Sequence, residues 1–262
     1  MELGLAGRRA LVTGGSKGLG LAIARELAGE AVHVAICSRD EEEIAAAGED
    51  LRALAPEVVV HAQRADVSDP DDVRDFVTRS AEALGGVDFL VNNAGRAHPG
   101  GFETLTDEDW EADLGVKLFS LVRCCREVLP YLRASGGGRI VNIGAVQARA
   151  PDPAFFATSV NRAAGNSFTK TLALELANEN ILVNGVNIGF VVTPQWDAIR
   201  QRRAPELERD EFFRAMAKDA VPLGRFGTAE EVAGIVAFLL GKRASYITGA
   251  SIDVAGGMGR YV

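Results

Sequence analysis

The chain has 262 residues, 47% hydrophobic and 24% charged, which suits one globular α/β domain better than two small ones. Its formal net charge of −8, from 28 Lys and Arg against 36 Asp and Glu, argues against nucleic acid as the main partner, because a phosphate backbone needs a basic footprint. No stretch reaches the roughly 18 uncharged apolar residues of a membrane span, and the N-terminus has no signal-peptide core, so no membrane partner and a cytoplasmic location are expected.

In chain order, short apolar runs alternate with longer amphipathic stretches. Strands are predicted at 9–14, 32–38, 58–67, 87–95, 138–145, 181–189 and 250–255. Helices are predicted at 20–30, 40–55, 69–84, 107–135, 161–179 and 229–241. Such alternation predicts crossover units and a doubly wound parallel sheet of Rossmann type with helices on both faces, in one domain spanning 1–262. The charged insertion around 194–220 interrupts the pattern. Cys37, Cys124 and Cys125 form no metal spacing and read as reduced packing thiols, and His33, His61 and His98 form no cluster, so no metal is expected.

The turn "TGGSKGLG", Thr13 to Gly20, sits between the first strand and the first helix. There Gly14, Ser16, Lys17, Gly18, Leu19 and Gly20 can bring backbone N–H groups and a helix N-terminus to a pyrophosphate. At the end of the second strand, where an acid would hold a ribose 2′-hydroxyl, the chain has Ser38 followed by Arg39. Arg39 and Lys17 suit a 2′-phosphate, which favours NADP(H) over NAD(H). The alternative for Arg39 is a surface charge paired with the acids Glu41 to Glu43.

These motifs, with "ADV" (65–67), "NNAG" (92–95), "GRIVNI" (138–143) and the ending "VPLGRFGTAEEVAGIVAFLLGKRASYITGASIDVAGG", resemble the short-chain dehydrogenase/reductase family. The nearest subgroup is that of 3-oxoacyl-carrier-protein reductases and related ketoreductases, and the likeness covers almost the whole chain. The resemblance implies a homotetramer or homodimer. It also implies Asp66 and Val67 beside the adenine, Asn93, Ala94 and Gly95 under the adenosine ribose, and Ile188 and Thr193 flanking the nicotinamide carboxamide. Ile188 departs from the proline usual before that glycine.

The same resemblance implies a serine ending the fifth strand, a tyrosine-x-x-x-lysine pair on the next helix and an asparagine in the fourth helix. This chain has Ala145, Thr158, Arg162 and Lys117 at those places, and alignment from either side gives the same register. A threonine hydroxyl is a weaker and shorter acid than a phenol. Arg162 keeps a cation near the nicotinamide ribose but does not give up its proton. Lys117 is either a desolvated proton donor or a space-filling ammonium bonded to a carbonyl. Asp152 and His98 are expected as solvated loop residues at the pocket mouth, and Phe155 and Phe156 as an apolar wall.

The insertion falls where the family carries a substrate lid. Trp196, Phe212 and Phe213 would close over a ligand, with Arg200, Arg202 and Arg203 near an anionic one; the alternative is an amphipathic helix pair with a solvated charged face. Three functions stay open: an oxidoreductase acting on a small carbonyl or hydroxyl substrate, hydrophobic or anionic; a cofactor-binding protein without catalysis; and an enzyme of non-redox chemistry. Whether an acyl carrier takes part stays open too. Tyr131 and Tyr246 remain as tyrosines that could replace the missing phenol.

Overall fold

The structure, a computed structural model, describes residues 2–259. Seven strands form one sheet in the order β3-β2-β1-β4-β5-β6-β7, every neighbouring pair parallel. They are β1 (Arg9–Thr13), β2 (His33–Ser38), β3 (Val60–Arg64), β4 (Phe89–Asn92), β5 (Gly138–Ala145), β6 (Ile181–Ile188) and β7 (Ser251–Val254). Around them lie α1 (Gly18–Gly29), α2 (Glu41–Leu54), α3 (Pro70–Leu84), α4 (Asp107–Leu114), α5 (Ser120–Ala134), α6 (Phe156–Leu176), α7 (Pro194–Arg203), α8 (Arg209–Ala220) and α9 (Ala229–Leu240).

Successive strand residues point to opposite faces, so both faces of the sheet need cover. Val12, Val34, Ile36, Val91 and Val186 pack with α1, α2 and α9 on one side. Leu11, Ala35, Leu90, Ile140 and Val183 pack with α3, α5 and α6 on the other. Winding reverses between β1 and β4, which opens a crevice at the carboxyl ends of those strands. The three thiols are buried, and burial pushes Cys124 up to about 12 and raises Cys37 and Cys125 as well, so packing is their role.

Two boundaries differ from the sequence expectation in ways that shape the crevice. The predicted helix 107–135 is broken by a π-helical turn at Gly115–Phe119, which widens the helix around Lys117. The next helix starts at Phe156, five residues earlier than predicted. Hydrogen bonds from Gly100 N to Ala154 O (2.9 Å) and from Phe156 N to Gly100 O (3.1 Å) fasten the loop after β4 to this start, and Asp152 Oδ1 accepts from Ala154 N (2.9 Å). Thr158 thereby lies in the first turn of α6.

Candidate active site

The glycine turn after β1 has the shape of a cradle. Gly14 (φ +67°) and Gly18 (φ +56°) adopt left-handed backbone, and a Cβ on Gly20 would stand 2.0 Å from Gly14 O. Asp40, Asp69, Thr106 and Thr228 cap α2, α3, α4 and α9 with their side chains. Among the described residues α1 has no side-chain cap and no acid in its first turn. α5 and α6 share this lack, but only α1 follows the glycine turn, so its N-terminal N–H groups are open to an anion at that cradle.

Arg39, just after β2, is exposed; its charge helps to lower the Asp66 pKa, and two neighbouring acids, Asp40 and Glu43, bond elsewhere. Asp40 Oδ1 accepts from Glu43 N (2.9 Å), and Glu43 pairs with Lys17 (2.5 Å). Lys17, not Arg39, thus takes the acidic partner on α2. An exposed pair of this kind is worth about 0–1 kcal/mol, so a phosphate can displace it. Asp66 Oδ1 accepts from Ser68 N and Oγ, and Val67 is buried beside it.

The Asn93 side-chain amide donates to Thr13 O (3.0 Å) and Gly14 O (3.1 Å), bracing the glycine turn. Thr13 Oγ1 accepts from Asn93 N and Ala94 N. Gly95 is where Arg162 approaches: a Cβ there would lie 3.0 Å from Arg162 Nη2. Ile188 packs on the core at the end of β6, and Thr193 opens α7 as its N-terminal flanking residue, close to Gly18.

Lys117, Thr158 and Arg162 come together beside that crevice, with Ala145 half-buried at the end of β5. The Lys117 side chain is 1% exposed and donates from Nζ to Asp113 Oδ1 and to Thr158 Oγ1 (2.9 Å). Asp113, itself buried, accepts a second bond from Asn161 Nδ2 (2.8 Å) on Oδ2. Burial pushes Lys117 down to about 8 against the pull of Asp113, with the charges of Arg162 and Arg96 adding to the fall. The lysine thus binds a carboxylate and a hydroxyl, not the carbonyl of the space-filling alternative.

Arg162 donates from Nη1 to Ile143 O (2.6 Å), and its Nε is buried without a partner among the described residues. Burial lowers its pKa to about 10, opposed by Asp113, so it stays charged at neutral pH. One polar atom left unsatisfied at the crevice is what a cradle for a polar ligand leaves when described alone.

His98 departs from its expected place in solvent. It is 21% exposed and bound into the cluster: Nε2 lies 3.1 Å from Asp109 Oδ1 and Nδ1 4.0 Å from Asp113 Oδ1. Its backbone N–H donates to Thr158 Oγ1 (3.3 Å). Asp152, also expected in solvent, is half-buried; its backbone N–H donates to Ser159 Oγ (3.1 Å).

Phe156 does line a wall, with Phe102 (5.5 Å between rings) and Trp110 (6.1 Å). The inserted segment is a helix pair, α7 and α8, with an apolar cluster of its own. Phe212 and Phe213 are buried inside that cluster and do not face a ligand. Trp196 packs edge-on against Phe190 and Phe226. Arg200 Nη1 is tied to Leu207 O (2.8 Å) and Arg202 Nε to Ala198 O (3.4 Å), so of the three arginines only Arg203 has no bond of this kind to its own segment.

Neither described alternative tyrosine is near. Tyr246 is fully exposed before β7, and Tyr131 packs late in α5, towards the amino end of β5. Sequence reasoning missed Asp113 and Asn161. Asp113 was open to discovery, since it stands four residues before Lys117 on a predicted helix and so on the same face.

Comparison with known proteins follows the same lines. Residues 14–259 match the family model described as Enoyl-(Acyl carrier protein) reductase. The chain is 32% identical over 252 residues to 3-oxoacyl-acyl-carrier-protein reductase of Staphylococcus aureus, covering 96% of this chain and 98% of that protein. L-sorbose reductase from Gluconobacter frateurii, solved with NADPH and L-sorbose, superposes with a TM-score of 0.96 at 32% identity, covering 100% of both chains. A short chain oxidoreductase from Pseudomonas aeruginosa PAO1, solved with NADPH and described as containing an atypical catalytic center, superposes with a TM-score of 0.92 at 36% identity over 97% of this chain and 98% of that one.

Proposed function

The chain belongs to the short-chain dehydrogenase/reductase family, and on that premise we propose that it is an NADP(H)-dependent oxidoreductase interconverting a carbonyl and a hydroxyl through Lys117 and Thr158. One observation carries the reading: a buried ammonium, pushed down to about 8, donates to the threonine hydroxyl that stands in the tyrosine's place. A donor poised near working pH is what general acid catalysis asks for, and it contributes about 10²–10⁴-fold.

The N–H groups of the glycine turn would hold the cofactor at its diphosphate and Arg39 at its 2′-phosphate, and the Arg162 Nε, without a partner among the described residues, would be available to its nicotinamide half. When bound, NADPH supplies the hydride. Thr158 Oγ1 accepts from Lys117, and its own hydrogen, donated at 3.4 Å to His98 O, would turn from that carbonyl to the substrate oxygen. As the substrate oxygen takes that hydrogen, the Lys117 ammonium restores it. Arg162 adds a fixed positive charge that favours the developing alkoxide. Phe156, packed with Trp110 and the exposed Phe102, would offer an apolar surface to a small substrate.

Ala145 supports a second reading, a cofactor binder without turnover, because no hydroxyl there orients a substrate oxygen. NADPH titration by fluorescence and a panel of ketones and alcohols separate the two. The proposal expects turnover that falls at least about 10²-fold in Lys117→Met with NADPH affinity unchanged. Full activity in that variant refutes the role of Lys117. A quadruple variant (Lys117→Asn, Ala145→Ser, Thr158→Tyr, Arg162→Lys) that reduces ketones the parent leaves untouched supports the binder instead. Assembly as a homodimer or homotetramer is proposed alongside, supported by exposed Leu174 (71%) and Val160 (48%) on α6, and is checked by light scattering.

A further inference from the structure

The Lys117 ammonium is sealed from water, yet a proton given to a substrate has to be replaced from solvent. The structure carries a chain of titratable groups that reaches it. Asp109, at the start of α4, is 38% exposed and has Oδ1 3.1 Å from His98 Nε2. On the other edge of the same ring, Nδ1 lies 4.0 Å from Asp113 Oδ1, the oxygen that Lys117 holds. That last gap is closed by a small swing of the ring or by one bridging water.

We propose that His98 is the proton relay of this site, passing protons between solvent at Asp109 and the Lys117 ammonium by way of Asp113. The idea rests on the functional reading above. For each carbonyl reduced, one hydride and one proton are consumed. The proton leaves Lys117 through the Thr158 hydroxyl; the His98 ring, in its Nδ1–H form, gives that proton to the Asp113 carboxylate at Oδ1, which passes it on to the neutral amine. The ring takes a solvent proton at Nε2, a turn of the ring restores the Nδ1–H form, and alcohol oxidation runs the same steps backwards. Imidazole suits the task because either nitrogen can carry the proton while the other accepts one.

The groups facing this path come from every neighbouring element: Asp109 and Asp113 on α4, Lys117 on the π turn, Arg96 on the loop after β4, and Thr158, Asn161 and Arg162 on α6. The arrangement separates scaffold from relay. At residue 98 Thr158 bonds only the backbone, accepting from its N–H at 3.3 Å and donating to its carbonyl oxygen at 3.4 Å. A changed side chain at 98 therefore leaves the Thr158 position intact. Asn161 holds the other carboxylate oxygen of Asp113, which fixes the acid while Oδ1 works.

The test needs no substrate. In protein carrying ¹⁵N-lysine, exchange of the Lys117 ammonium hydrogens with solvent is followed by NMR in the full chain. His98→Gln, which keeps a bond to Asp109 but does not titrate, is expected to slow that exchange about tenfold or more. His98→Phe, which fills the space without any nitrogen, does the same and guards against misfolding of either variant. Exchange as fast as in the parent in both folded variants overturns the relay. Turnover is the second arm: kcat falls with the exchange rate while NADPH affinity holds. A parent that exchanges Lys117 through His98 but turns over nothing refutes the oxidoreductase reading and leaves the relay standing.

Discussion

Replacing Asp113 and Lys117 together tests whether this ion pair serves the fold or the chemistry. Lowering a lysine from 10.5 to about 8 is an energetic statement. At about 1.4 kcal/mol per pKa unit, keeping the ammonium charged in the fold costs about 3 kcal/mol. In Lys117→Met alone that cost vanishes, but Asp113 is left with Asn161 as its remaining partner. Orphaning a buried charge costs about 3–5 kcal/mol, so the single variant is expected to end between neutral and about 2 kcal/mol less stable. In Asp113→Asn with Lys117→Met neither charge remains and the bond from Asn161 survives, so stability is expected to equal or exceed the parent's by up to about 3 kcal/mol. The sign has a pH signature. Between pH 8 and 10.5 the unfolded chain binds the extra proton, so parent stability rises with pH through that window and the double variant's advantage closes. Urea unfolding at pH 7 and pH 10 reads both. A double variant more than about 1 kcal/mol less stable than the parent at pH 7 refutes the reasoning, because the pair would then be holding the structure together.

Carbonyl reduction needs Lys117 protonated, so kcat is expected to be level below pH 8 and to fall about tenfold per pH unit above it, with oxidation rising through the same range; a profile without that inflection excludes Lys117 as the acid. Arg39→Glu replaces a cation with a like charge to a 2′-phosphate and is expected to weaken NADPH about 10–100-fold while leaving NADH little changed, as read by fluorescence titration. Gly20→Ala would set a methyl 2.0 Å from Gly14 O and 2.5 Å from Asn93 Nδ2. The clash is expected to cost about 1–3 kcal/mol, lowering the thermal midpoint by several degrees, and to open the glycine turn so that NADPH binding weakens.

The architecture was legible because parallel strands buried on both faces leave unmistakable apolar runs. "RALVT" and "HVAIC" could have few other fates, and the seven strands appear where the runs stand. The glycine turn was equally plain, since left-handed backbone at Gly14 and Gly18 admits few other residues. Less legible was where side chains turn, because their direction depends on what the neighbouring backbone leaves unsatisfied; for the insertion, the alternative of an amphipathic helix pair is the one seen. Asn93 turned to the two carbonyls of the glycine turn, and the phenylalanines turned inward to give the helix pair a core. His98 read as a loop residue because nothing local shows that the 96–105 loop is fastened to the start of α6 by Gly100.

Substitution at the four family positions is often the mark of a site falling out of use, and the physical character of these residues argues against that here. Loss of function leaves small or solvated replacements, since nothing holds a costly group in place. Ala145 fits that description. Lys117 does not: it is among the largest fully buried side chains, it costs the fold energy, and it is matched one helical turn earlier by a buried carboxylate whose second oxygen is also bonded. On the proposed assignment, Thr158 at the tyrosine's place leaves room for that ammonium, and Arg162 at the lysine's keeps a cation by the crevice whose charge pushes Lys117 towards release. Lys117 and Thr158 thus depend on one another through a bond of 2.9 Å, and Arg162 acts on Lys117 through its charge. A proton donor transferred from ring to amine accounts for them together, whereas independent losses would each need a separate explanation.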